Sequence, residues 1–76
     1  MNFPIYRKYK NGLSYFKIIS ETEFYEVKIN GSRYELIHIH AKIHPDRVLI
    51  ADMLNNYNNY WDTCSAEEYI RAAKAA

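Results

Sequence analysis

The period of apolar and polar positions changes several times along this chain, and each change marks an element. Residues 25–29, Tyr-Glu-Val-Lys-Ile, alternate with period two, as a half-buried strand does. Asn30-Gly31 follows, the strongest hairpin signal present. A two-residue loop there sets Val27 opposite Tyr34 and Tyr25 opposite Leu36, giving the hairpin one apolar face. It also sets Glu26 against Glu35 and Lys28 against Arg33, like charges that only diagonal pairs could relieve. The returning strand then changes phase: Tyr34 and Leu36 are even-numbered, whereas Ile37, Ile39, Ala41 and Ile43 are odd. That predicts a bulge near Leu36-Ile37, or a strand apolar on both faces there. The other face would carry Arg33, Glu35, His38, His40, Lys42 and His44.

Upstream, residues 1–12 are basic and aromatic, Pro4 disfavours helix, and Asn11-Gly12 marks a turn. Residues 13–19 read as a strand. Downstream, His44-Pro45-Asp46 punctuates, and residues 45–57 fit two readings. A helix entered at Pro45 puts Leu49, Ile50, Met53, Leu54 and Tyr57 on one arc. A strand starting at Val48 would place Asp52 beside Val48 and Ile50, so the helix is preferred. Residues 55–59 are an Asn-rich loop, 60–64 a short strand, and 66–76 a helix with Ala66, Tyr69, Ile70 and Ala73 on one face.

One phrase occurs twice. Residues 15–24 and 60–69 both read aromatic pair, three residues, Ser-x-x-Glu, aromatic. Ser-x-x-Glu is the capping-box spacing, and Ile19 with Phe24, or Cys64 with Tyr69, has the spacing of a hydrophobic staple. The first copy therefore predicts one helical turn or a tight turn at residues 20–24, and the second a full helix after Ser65. The fold class that results is α+β: a three-stranded antiparallel meander and a further strand, packed against the Tyr69-Ile70 face of a C-terminal helix.

Length and composition narrow this picture. Seventy-six residues with 49% hydrophobic positions suit one domain, 1–76, whose small core leaves little room for an enclosed active site. Ten Lys and Arg against nine Asp and Glu give +1, so no global basic field drives nucleic-acid binding. A single Cys64 cannot form an internal disulfide. No apolar run approaches the ~18 residues that span a bilayer, and the start of the chain lacks the apolar core of a signal peptide. The expectation is a cytoplasmic protein with no membrane association.

Candidate chemistry is sparse. His38 and His40 project to one side of a strand about 6.5–7 Å apart, a spacing at which two imidazoles can share a metal. His44 is too far along to join them, so the pair lacks a third ligand unless Glu26 or Glu35 supplies it. An exposed polar face is the plainer reading, and neither metal nor cofactor is expected. Cys64 precedes a helix start, where thiols can be activated, but its staple position points inward. Arg7, Lys8, Lys10 and Lys17 interleave with Tyr6, Tyr9 and Tyr15, the mixture that single-stranded nucleic acid favours. A first strand with a solvated face is the plainer reading.

The remaining signal is aromatic. Eight Tyr exceed what so small a core hides, and exposed Tyr and Trp favour protein interfaces. The expected function is a non-enzymatic interaction module that binds a protein partner, or a second copy of itself, through Tyr6, Tyr9, Tyr57, Tyr60 and Trp61. The alternative is nucleic-acid binding through Arg7, Lys8, Lys10 and Lys17.

Overall fold

A computed structural model describes residues 2–76, with Met1 outside the described residues. Five antiparallel strands form one open sheet in the order β4-β3-β2-β1-β5. They are β1 (Ile5–Tyr9), β2 (Ser14–Ser20), β3 (Glu23–Asn30), β4 (Arg33–His40) and β5 (Trp61–Thr63). Helix α1 (His44–Asn55) leads through the Asn-rich loop into β5, and α2 (Ala66–Lys74) closes the chain. The α+β class, the meander and the C-terminal helix are as the pattern predicts. The basic N-terminal stretch adds a fourth strand to the meander, pairing Ile5 with Ile18 and Lys8 with Tyr15. Residues 45–57 resolve as helix up to Asn55, with Pro45 in the first turn.

The sheet is covered on both sides. Phe16, Ile18 and Phe24 point to one face, where they pack with Ile50 and Met53 of α1, Ala41 and Trp61. Val27 points to the other, where it packs with Tyr69 and Ala72 of α2 and with Tyr6, Tyr15 and Tyr25 around them. This explains the phase change in β4. Its register runs unbroken from Arg33 to His40, with no bulge at Leu36-Ile37. Ile39 pairs with Phe24 on the α1 side, whereas Leu36 pairs with Val27 on the α2 side. The strand carries apolar residues on both faces: Ile39 joins the α1-side core, and Leu36 lies half exposed on the α2 side. By the same alternation Arg33 and Glu35 share the Ile37–Ile39 face and do not join His38 and His40.

Two local readings are corrected. The β3–β4 turn is Gly31-Ser32, not Asn30-Gly31, since Asn30 pairs with Arg33. Gly31 takes φ +64° while Ser32 stays out of the left-handed region, the pattern of a turn with glycine at its first central position. The slide places Lys28 opposite Glu35 and Glu26 opposite Ile37, which removes the like-charge conflict. On α2, the buried residues are Tyr69 and Ala72, and Ile70 is 45% exposed. The helix turns its Tyr69-Ala72-Ala73 stripe to the sheet.

The twin phrases also part company. Ser65 carries the full capping box: its Oγ accepts from Glu68 N–H (3.1 Å), and Ser65 N–H donates to Glu68 Oε1 (3.5 Å). Ser65→Ala is expected to lower stability by about 1 kcal/mol in urea unfolding. The first copy takes the tight-turn alternative. Ser20 pairs with Glu23 around Glu21-Thr22, and Thr22 N–H donates to Ser20 Oγ (3.1 Å). The irregularity in the sheet lies beside it, between Ile18 and Ser20 of β2. Phe24 packs on the α1 face with Phe16, so no staple with Ile19 forms.

Candidate functional site

The predicted aromatic residues divide between two places. Tyr6 lies on the α2 face, its ring 5.7 Å from that of Tyr69. The other four gather at the β5 edge. Trp61, only 4% exposed, stacks on Tyr9 (6.0 Å, 20°), and Tyr60 meets Trp61 edge-on (5.9 Å, 83°). Tyr57 and Tyr60 are 58% and 59% exposed. Trp61, with the half-buried Tyr9 stacked on it, is therefore a footing, and Tyr57 and Tyr60 are the accessible surface. Burial, reinforced by Glu26, pushes the Tyr9 hydroxyl above the ordinary tyrosine range, so it stays protonated.

The loop that presents Tyr57 and Tyr60 is held by asparagines. Asn56, Asn58 and Asn59 all take positive φ (50°, 56° and 56°), a conformation that side chains other than glycine rarely adopt and asparagine tolerates best. Asn56 ends α1 there, its Oδ1 accepting from Trp61 N–H (3.0 Å) and its Nδ2 donating to Asn59 Oδ1 (3.2 Å). Across from it the β1–β2 turn is tied by Leu13 N–H donating to Asn11 Oδ1 (2.9 Å). Between the two turns runs an open groove of about 400 Å³, lined by Tyr9, Lys10, Asn11, Asn59 and Tyr60. Asn11, Asn59 and Lys10 were not legible as partners of the tyrosines, because only the β1–β5 pairing brings residue 10 beside residue 60.

The four cations of the nucleic-acid alternative divide: Arg7 is on the α1 side, and two of the other three are held in ion pairs. Arg7 lies under α1, with Nε donating to the Met53 carbonyl (3.0 Å) and Nη1 to the Tyr6 carbonyl (3.0 Å). Lys8 is on the α2 face, bound to Glu68 (2.8 Å), and Lys10 is bound to Asp62 (3.0 Å). Lys17 lies opposite Tyr6. The Lys8 contact holds the Glu68 carboxyl below its ordinary range, aided by Ser65 N–H.

Cys64 packs with the Val27–Tyr69–Ala72 cluster, and burial pushes its thiol up, with Glu68 adding to the rise. That is the reverse of an activated nucleophile.

His38 and His40 do acquire a third neighbour, and it is Glu23, not Glu26 or Glu35. Glu23 Oε2 lies 2.6 Å from His38 Nε2, and Oε1 lies 3.2 Å from His40 Nε2. The capping reading of residues 20–24 had hidden it, since β3 begins at Glu23 and not at Tyr25.

No helix among the described residues is long and apolar enough to cross a membrane. Comparison with known protein families, curated proteins and solved structures finds no match to this chain.

Proposed function

We propose that this chain is a small non-enzymatic interaction module that binds a protein partner through Tyr57 and Tyr60 at the β5 edge. The observation that carries this reading is the pair of tyrosine rings, each more than half exposed, on a loop whose backbone is fixed by asparagine hydrogen bonds. Exposed tyrosine supplies contact area at low entropic cost, and asparagine supplies adaptable donors and acceptors. Protein-binding loops combine the two for that reason. Asn56 is the left-handed cap that ends α1, and the left-handed Asn58 and Asn59 turn the chain towards β5. The shallow, open groove beside Tyr60 adds Tyr9, Lys10, Asn11 and Asn59 to the surface that a partner would cover.

The test compares the parent with the double variant Tyr57→Ser/Tyr60→Ser. A partner captured by the parent is purified and its affinity for both proteins measured directly. The double variant is expected to bind about 30-fold or more weakly, as for loss of a hot-spot tyrosine pair, with an unchanged unfolding midpoint. Equal affinity for both proteins would overturn the reading. Sedimentation of the parent alone tells whether the partner is a second copy. Retention on a nucleic-acid resin that survives the double variant and fails on charge reversal at Lys8 and Lys10 would favour the alternative.

A further inference from the structure

We propose that Glu23, His38 and His40 form a binding site for a divalent transition cation, zinc in the first instance, on the α2 face at the opposite edge of the sheet. The three side chains come from paired strands: Glu23 is opposite His40, and His38 lies two residues back on β4. One ligand atom from each falls within 4.8 Å of the other two, and no other trio of His, Cys, Asp or Glu does so among the described residues. Tetrahedral zinc with bonds of about 2.0–2.2 Å to nitrogen and oxygen needs its ligand atoms roughly 3.3–3.5 Å apart. The two carboxylate–imidazole distances are 2.6 and 3.2 Å. Closing on an ion therefore asks mainly the His38–Glu23 pair to separate, by somewhat under ~1 Å.

The chemistry of the donor set selects the ion. Two imidazoles and one carboxylate suit zinc and its late first-row neighbours and disfavour magnesium and calcium, which take oxygen ligands. Glu23, when ionised, only accepts, so in the free protein the His38 imidazole presents Nε2–H to it. On binding, the Nε2 lone pairs turn to the ion and the ring proton moves to Nδ1. The His38 ring is already fixed in plane by stacking on Tyr25 (4.4 Å, 16°), and His40 meets it at 71°. All three side chains are partly exposed, so an ion held by three protein ligands completes its shell with water. Bound there, the ion ties the first residue of β3 to the last of β4 and closes the open end of that hairpin.

The site shares no residue with the Tyr57–Tyr60 loop, so either proposal can fail alone. The experiment titrates the untagged chain with zinc chloride, and with magnesium as control, following the histidine ring signals by NMR and the heat by calorimetry. One zinc per chain is expected, shifting His38 and His40 together and leaving His44 unmoved, with a higher thermal midpoint. His38→Ala, His40→Ala and Glu23→Gln should each weaken binding roughly tenfold or more, while His44→Ala should not. Unchanged His38 and His40 signals at millimolar zinc would overturn the proposal. So would binding that follows His44 or Cys64, or that survives His38→Ala intact.

Discussion

Phe16→Ala is expected to leave about half or more of the molecules unfolded at room temperature. Phe16 sits on β2, the middle strand of the five, and is 1% exposed. Its ring meets Tyr9 edge-on at 5.2 Å and Phe24 at 6.0 Å, so it joins the β1, β2 and β3 parts of the α1-side core. Truncating a buried phenylalanine costs about 3–5 kcal/mol, from lost transfer energy and the cavity left behind. A single core in a chain of this length rarely supplies more than about 3–5 kcal/mol in all. The loss therefore matches the total. Phe16→Leu keeps most of the volume and should remain folded, about 1–1.5 kcal/mol weaker. Leu13, also apolar but half exposed just before β2, should tolerate alanine within about 0.5 kcal/mol. Urea unfolding followed by circular dichroism separates the three. A cooperative Phe16→Ala transition within about 1 kcal/mol of the parent would mean that this face is not the main core.

The period-two pattern located the strands of the meander but not the sides of the sheet, and the reason lies in β2. Phe16 and Ile18 serve α1 and Tyr15 serves α2, so Lys17 alone marks the second face as polar over that stretch. A reading that expects one wet face then needs a bulge in β4, where the real device is a second helix. The hairpin register was legible in part. Both turn placements keep Val27, Tyr25, Tyr34 and Leu36 on one side, so hydrophobicity cannot choose between them. Charge can: Lys28 opposite Glu35 is favourable and Lys28 opposite Arg33 is not. The conflict in the first register was itself the signal that the turn sits one residue further on.

The sites were less legible because their parts are distant in sequence. Tyr57 and Tyr60 stood out by composition, but Trp61 beside them is core, and nothing local separates an exposed ring from a buried one. Strand alternation does, once β5 is placed: Trp61 pairs with Tyr9 on the α1 side. Glu23 shows the converse. Ser-x-x-Glu has one local meaning, a helix start, and Glu68 obeys it. At Ser20 the chain reverses within two residues, leaving no helix for Glu23 to cap, and its carboxylate turns to the histidines of the next strand.

Tyr69→Ala is expected to detach α2 while leaving the α1 side assembled. A nine-residue helix is too short to persist alone in water, since isolated helices need about 12–15 residues. The Ser65 cap contributes only about 1 kcal/mol, so docking on the sheet keeps α2 formed. Tyr69 is the large residue in that docking, 6% exposed against Val27, Tyr6 and Tyr25, while its neighbour in the stripe is alanine at residue 72. Its truncation weakens that docking by up to about 3 kcal/mol, a loss capped at the energy that holds α2 down, so the sheet and α1 keep theirs. Amide exchange should rise first across Ala66–Lys74, before β2 and β3, because that helix then opens separately from the sheet. The uncovered face, Tyr6, Tyr15, Tyr25 and Val27, is a contiguous apolar patch, so the variant should also self-associate at high concentration. Ile70→Ala removes more apolar surface than most surface changes yet should cost under about 1 kcal/mol, since Ile70 points away from the sheet. Equal losses at Tyr69 and Ile70 would place the helix a quarter-turn round from its Tyr69-Ala72 stripe. They would also refute the account of the sheet as packed on both sides, because that stripe is what covers Val27 on the second side.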